Sequence, residues 1–357
     1  MMENARKKTE NANVLWLFTI IVYLGGAIPA AFLGQNVFGI VIMNAVLFLF
    51  LFSFTKSKKG RSILFLLAAF LTAVTFFFSV EYRIDLLSKE IMAAALYYIC
   101  TQRNKKSFLE YCPLKKIPLK QWLFFPILSL LLFWIGGYIN ALSMVLFDNA
   151  VTGTINAARE SLVTGIISLA LIPAVVEECI YRGCIYHSIS GKKKAVIISA
   201  LFFALMHMNF NQMSYAFVLG LLFAVIMGKT DNLSVSVVIH FLFNLLNIIL
   251  PFMMKVPLLK KIIDIHIGNY YLFGPSLCDS AQHFYIDNLL TGLLVVVMSV
   301  VIIMGILHFF FCNKEVIKEN QTEETKTEWR PDGYFWAGCA VCIFIASAFE
   351  LMKVFGA

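Results

Sequence analysis

Charged side chains are scarce in this sequence of 357 residues. Asp, Glu, Lys and Arg make up 14% of it, whereas hydrophobic residues make up 60% and Phe alone occurs 34 times. Soluble domains are closer to half apolar and a quarter charged. The scarcity of charge therefore excludes an ordinary soluble globular protein and raises the question of how the apolar residues are arranged.

The apolar residues form blocks that are mostly long enough to cross a membrane, which takes about 20 helical residues. Eight such runs occur, at residues 14–34, 37–54, 62–80, 121–147, 161–181, 233–252, 289–311 and 333–352. Three shorter segments, residues 86–100, 195–208 and 214–228, could also cross or enter the bilayer within a bundle. We therefore expect an all-α fold, a polytopic transmembrane helix bundle of about 8–11 membrane helices with an uncleaved first helix.

The basic residues are spread over separate loops, so the net charge of +8 does not indicate a nucleic-acid partner. The basic loops lie at residues 6–8, 55–61, 101–120, 191–194 and 312–330. They fall on one side if all eleven segments cross, and short basic loops stay in the cytoplasm. The chain is thus predicted to be an integral, multi-pass protein of the cell membrane, with its N-terminus cytoplasmic and the lipid bilayer as its first partner.

The sequence predicts one membrane domain, followed by a linker and one further helix. Residues 1–311 form the predicted multi-span domain, and residues 160–250 hold its polar motifs. Residues 312–332 form a charged cytoplasmic linker, and residues 333–357 add an extra C-terminal transmembrane helix.

Three charges interrupt the apolar stretch LIPAVVEECIYRGCIYHS, namely Glu177, Glu178 and Arg182. Each charge at mid-bilayer depth costs roughly 2.5–3.5 kcal/mol on insertion scales, so intramembrane charges usually mark function. Glu178 and Arg182 are four residues apart, on one face of a helix, and are expected to pair. A buried ion pair that only holds the bundle together would leave Glu177 without a role.

Two further polar clusters follow, His207 in FFALMHMNFNQ and the pair His240 and Asn244 in VVIHFLFNLLN. Alone, each His is more often a packing residue than a catalyst. The rise of 1.5 Å per residue puts Glu177 and His207 each about 20 Å from the 191–194 turn, with His240 and Asn244 about 12 and 18 Å beyond the 229–232 turn. A carboxylate, two imidazoles and a carboxamide at one depth could carry out hydrolysis.

These residues resemble the three ordered motifs of the CPBP intramembrane proteases, written EExxxR, FxxxH and HxxxN. The matching stretches are EECIYRG (177–183), FALMH (203–207) and HFLFN (240–244). The family includes the type II CAAX prenyl proteases and bacterial relatives linked to bacteriocin processing or self-immunity. The resemblance implies an endopeptidase that cleaves a membrane-associated or lipidated peptide or protein, for example a prenylated protein or a bacteriocin precursor.

The resemblance also implies roles for the six motif residues. Glu177 would take a proton from water, helped by His207, while His240 and Asn244 would donate hydrogen bonds to the oxyanion. Glu178 and Arg182 would hold the helix and its electrostatics in place. No cofactor is needed for this chemistry.

Two alternatives stay open. Glu177, His207 and His240 could instead bind zinc, which would make the protein a metalloprotease, although the sequence contains no HExxH motif. A protein without protease activity could keep the fold for bacteriocin self-immunity. A transporter is disfavoured because neither repeated halves nor paired broken helices are visible.

Overall fold

The computed structural model describes residues 12–21, 112–147, 162–189, 191–254, 256–264, 287–311 and 329–354, with a few short pieces between them. The predicted spans at residues 37–54, 62–80 and 86–100 lie almost entirely outside the described residues. The chain divides into two compact units, one of Met1–Asn13 with Pro113–Ala357 and one of Val14–Cys112. The predicted motifs all lie in the first unit.

The described secondary structure is almost wholly helical. Its helices are α1 (Ala12–Ile21), α2 (Leu119–Trp122), α3 (Phe125–Ser143), α4 (Leu162–Ser188), α5 (Lys192–Leu205), α6 (Phe210–Thr230), α7 (Leu233–Met253), α8 (Pro257–Ile263), α9 (Leu289–Ile306, continued as a π-helix over Leu307–Phe311) and α10 (Gly333–Val354). The only described strands are β1 (His266–Ile267) and β2 (Tyr270–Tyr271), which pair antiparallel.

Within the described residues, six helices are long and apolar enough to cross a membrane: Leu119–Ser143, Leu162–Ser188, Phe210–Thr230, Leu233–Leu250, Leu289–Phe311 and Gly333–Leu351. The prediction of an all-α, multi-pass membrane bundle is confirmed. Five of these helices coincide with predicted long runs, and the sixth extends the predicted segment 214–228. Segment 195–208 differs, because its helix α5 has only 14 residues and ends at Leu205.

Helix α4 is not a regular α-helix. It changes to π-helical winding over Ile166–Leu171 and again over Cys179–Ile185, with Ile172–Glu178 α-helical between them. Pro173 follows the first π segment, and because proline has no N–H it cannot make the usual bond to the preceding turn. Such π segments often occur at functional sites, and here the second one contains Arg182.

Helices α5 and α6 form an antiparallel hairpin. Gly220 makes a close contact possible, since a Cβ there would lie 3.2 Å from Ala200 Cα and 3.1 Å from Phe203. Nearer the open end, Lys192 Nζ donates to the Gly228 carbonyl. Lipid does not drive helices together as water does, so membrane bundles rely on small residues that allow such close packing.

The open end of the hairpin meets the chain that leads into α2. Lys115 Nζ pairs with Asp231 at 2.5 Å, and Lys115 N donates to Asn232 Oδ1 at 3.1 Å. His187, at the end of α4, lies 3.8 Å from the same Asp231 carboxylate. The 113–116 segment, the end of α4 and the 231–232 turn therefore lie at one end of the unit.

Helix α10 packs on the hairpin. Its Phe335 ring lies 5.9 Å from the ring of Phe202 on α5. Just before the helix, Trp329 Nε1 donates to Asn13 Oδ1 at 3.0 Å, and Asn13 Nδ2 donates to the Arg330 carbonyl at 3.2 Å. The C-terminal helix is thus packed into the same compact unit as the predicted core.

Candidate active site

Helix α4 places its two adjacent glutamates in different environments. Glu178 is fully buried and forms an ion pair with Arg182, with Nη1 and Oε1 3.1 Å apart, so the predicted pairing is confirmed. The Glu177 side chain is 18% exposed, and its Oε2 lies 3.9 Å from His240 Nε2. The ion pair thus involves Glu178 rather than Glu177.

His240 of α7 lies between the two carboxylates. Its Nδ1 is 2.9 Å from Glu178 Oε1, a hydrogen-bond distance, while its Nε2 faces Glu177. Because Glu178 also pairs with Arg182, its oxygen accepts and the imidazole Nδ1–H donates. The 3.9 Å gap to Glu177 is too long for a direct hydrogen bond, and an oxygen atom beside that gap could contact both groups.

His207 lies in the turn that joins α5 to α6, because helix α5 ends at Leu205. Its Nδ1 donates to the Phe203 carbonyl at 2.9 Å, so in a neutral ring Nε2 carries the lone pair. Its ring lies 5.0 Å from the Phe203 ring, which in turn lies 6.0 Å from the His240 ring.

The local backbone fixes the His207 turn. Met208 adopts a left-handed conformation with φ of 50°, which is uncommon for a residue with a side chain. Asn209 then caps α6, since its Oδ1 accepts from Gln212 N at 3.0 Å. Strained backbone of this kind often accompanies functional sites.

Asn244 lies one turn after His240 on α7 and is partly buried. Among the described residues, its side chain forms no hydrogen bond with the other five predicted residues. The structure therefore gathers Glu177, Glu178, Arg182, His207 and His240, which we call the polar site, and places Asn244 on the adjoining helical turn.

Aromatic rings surround the cation of the polar site. The Arg182 guanidinium lies 4.4 Å from the Phe203 ring centre and 5.3 Å from that of Phe223. Arg182 Nη2 donates to the Gly220 carbonyl at 3.1 Å. Sequence reasoning did not single out Gly220 and Phe223, because both lie outside the three predicted motifs.

The predicted zinc set does not form a three-ligand group. Glu177 and His240 face each other, but the part of the chain that the structure describes contains no cluster of three or more His, Cys, Asp or Glu side chains arranged to bind a metal ion. Zinc binding by Glu177, His207 and His240 therefore stays an untested alternative.

A buried carboxylate, histidine and arginine site within a multi-pass helical bundle is typical of a functional site inside a membrane. Residues 159–246 match the family model of type II CAAX prenyl endopeptidase Rce1-like proteins, so the predicted resemblance is confirmed over about a quarter of the chain. All six predicted site residues lie in the matched segment. The match supports a CAAX-type intramembrane protease in general terms, whereas no curated protein and no solved structure matches the chain.

Proposed function

We propose that this chain is an intramembrane endopeptidase that hydrolyses a peptide bond of a membrane-associated or lipidated protein or peptide. The main support is the approach of Glu177 Oε2 to His240 Nε2 across 3.9 Å in a buried site. At this distance the carboxylate can accept a hydrogen bond from a water molecule, while Nε2 can donate one to the carbonyl oxygen of the bond that the water attacks.

In this proposal Glu177 is the general base. Its carboxylate takes a proton from water as the water oxygen bonds to the scissile carbonyl carbon. It then gives that proton to the amide nitrogen as the carbon–nitrogen bond breaks. His207 Nε2 helps to orient the water, because Nδ1 is already committed to the Phe203 carbonyl. Such positioned proton transfer typically contributes 10²–10⁴-fold to the rate.

His240 and Asn244 would donate hydrogen bonds to the oxyanion. Since His240 Nδ1–H is held by Glu178, Nε2 can donate only if the ring carries a second proton. Two carboxylates and the Arg182 guanidinium leave one negative charge, which that proton would neutralise. The Asn244 amide, one turn further along α7, is the second donor.

Two classes of natural substrate are compatible with the proposed reaction. A CAAX-type substrate would carry a prenylated cysteine near its C-terminus, and a bacteriocin precursor would carry a cleavable leader. We also propose that the protein lies in the cell membrane with its N-terminus in the cytoplasm, because the basic loops favour that orientation. No cofactor takes part in the proposed reaction.

Purified protein in liposomes tests the proposal directly. One peptide ends in a farnesylated cysteine and three further residues, a second lacks the farnesyl group, and a third carries a double-glycine leader. Mass spectrometry should detect cleavage of at least one peptide by the wild type and none by Glu177→Gln. Saturable binding of a peptide without cleavage would instead support the self-immunity alternative.

A further inference from the structure

Arg182 is fully buried, yet hydrogen bonds satisfy it only in part. A guanidinium has five N–H donors. Its polar partners are the Gly220 carbonyl and the Glu178 carboxylate, and its Nε has no hydrogen-bond acceptor among the described residues. The rings of Phe203 and Phe223 lie within cation–π distance of it.

Phe223 also contacts the imidazole of the polar site. Its ring stacks on His240, with centroids 4.8 Å apart and planes inclined by 22°. Phe223 itself is 1% exposed, so the stacked ring is fixed by its surroundings. Stacking opposes rotation of the imidazole about its Cβ–Cγ bond, and that rotation would turn Nδ1 and Nε2 away from Glu178 and Glu177.

Phe203 contacts the same groups in a different way. Its ring meets His240 edge-on, with centroids 6.0 Å apart and planes at 89°, and it also meets His207 edge-on at 5.0 Å. Phe203 belongs to the predicted FxxxH motif, whereas Phe223 lies outside all three motifs. Phe223 is the described ring that combines stacking on His240 with contact to the guanidinium.

We propose that Phe223 is a positioning residue of the reaction. Its face holds the His240 ring in the orientation that directs Nδ1 to Glu178 and Nε2 to Glu177. The same ring stabilises the Arg182 cation that fixes Glu178. The role rests on the proposed hydrolysis, but the position of the imidazole can be measured without it.

Ordinary packing is the competing explanation, because Phe223 also belongs to the apolar core formed by α3, α6, α7 and α9. Shortening a core phenylalanine weakens packing wherever it lies. Phe202 provides a matched control, since it is fully buried on α5 and its ring contacts Phe335. The cation–π and ring contacts to Arg182 and His240 described above come from Phe203 and Phe223.

The experiment replaces Phe223, and in parallel Phe202, with phenylalanines that carry one to five ring fluorines. Fluorination weakens the negative potential of the ring face while changing its shape little. Phe223→Leu and Phe202→Leu complete the set. Each protein is assayed with whichever of the three liposome peptides the wild type cleaves, and the side-chain ¹⁵N signals of His240 are recorded.

We expect kcat to fall stepwise with fluorine number at position 223, by about 2- to 30-fold over the series, with KM little changed. Phe223→Leu should also shift the His240 ¹⁵N signals and the pH profile of cleavage. The same changes at Phe202 should lower thermal stability alone.

Two results would overturn the proposal. The first is equal behaviour of the Phe223 and Phe202 series in kcat, and the second is an unchanged His240 signal in Phe223→Leu. If the wild type cleaves no peptide, the proposed function fails, while the ¹⁵N comparison still decides whether Phe223 positions His240.

Discussion

His240 and Glu178 are joined by a hydrogen bond of 2.9 Å, although 62 positions separate them in the sequence. The same Glu178 oxygen pairs with Arg182 at 3.1 Å. Glu178 therefore connects the buried cation to the imidazole, and the adjacent Glu177 faces the other imidazole nitrogen. Two neighbouring glutamates thus have separate tasks, which mutations can distinguish.

Glu178→Gln should destabilise the fold. It removes the charge that compensates the fully buried Arg182, and breaking a buried pair in this way typically costs about 3–5 kcal/mol. Unfolding of the purified protein in detergent should therefore occur at lower temperature, with a lower yield of folded protein. Glu177→Gln is the matched control, because the Glu177 side chain is part-exposed and lies beside His240, while Arg182 pairs with Glu178. Equal stability of the two variants would contradict the assignment of the ion pair.

Asn244→Ala should lower turnover by about 10²–10³-fold with little change in KM, because one oxyanion donor is lost. Asn247→Ala is the control on the same helix. Its Nδ2 already donates to the Phe243 carbonyl at 3.0 Å, and nothing in the proposal requires it. Similar kinetics for the two variants would remove Asn244 from the mechanism.

The sequence predicted the membrane fold well because hydrophobicity is a local property. Runs such as 121–147 and 289–311 are continuous, and the lipid core demands a helix wherever they cross. The four-residue spacing of Glu178 and Arg182 likewise predicted a contact within one helix. The irregular winding of α4 could not be predicted, since it depends on how Pro173 and the following turns pack.

The site was predicted less completely, because its contacts join distant helices. The rise per residue predicted that Glu177 and His240 lie at similar depth in the membrane. It could not predict which glutamate lies next to which nitrogen of the ring. Phe223 carried no signal, because a single phenylalanine among 34 is explained by lipid contact alone. Its role depends on the α5–α6 packing at Gly220.

Acid should loosen the cluster of Lys115, His187 and Asp231 at the end of the bundle. Partial burial opposes ionisation of Asp231, but the nearby His187 ring and the hydrogen-bonded Lys115 ammonium outweigh it, so the pKa of this carboxyl lies below its ordinary value of 3.8. The unfolded chain then takes up the proton first as pH falls. The ionised Asp231 carboxylate therefore stabilises the fold fully above the pKa that it has in the unfolded chain. This stabilisation is lost as pH falls through the lower pKa that it has in the folded protein.

Protonation of Asp231 should lower the free energy of unfolding by at most about 1 kcal/mol, because its ion pair with Lys115 is partly exposed. Between about pH 5 and pH 2, the melting temperature of the wild type should fall more steeply than that of Asp231→Asn. Asn suits the comparison because it tolerates the left-handed backbone, with φ of 46°, that Asp231 adopts. Parallel pH curves for the two proteins would show that Asp231 contributes nothing to the fold.

The most direct measurement compares peptide cleavage by the wild type and by Glu177→Gln in the same liposomes, after prolonged chelation and with metal content determined. Glutamine keeps the shape of the side chain but cannot accept the proton from water. The account predicts that the chelated wild type stays active without stoichiometric metal, while Glu177→Gln loses at least 10²–10⁴-fold in turnover. Loss of wild-type activity on chelation, with recovery when zinc is added back, would contradict it and make Glu177 a metal ligand.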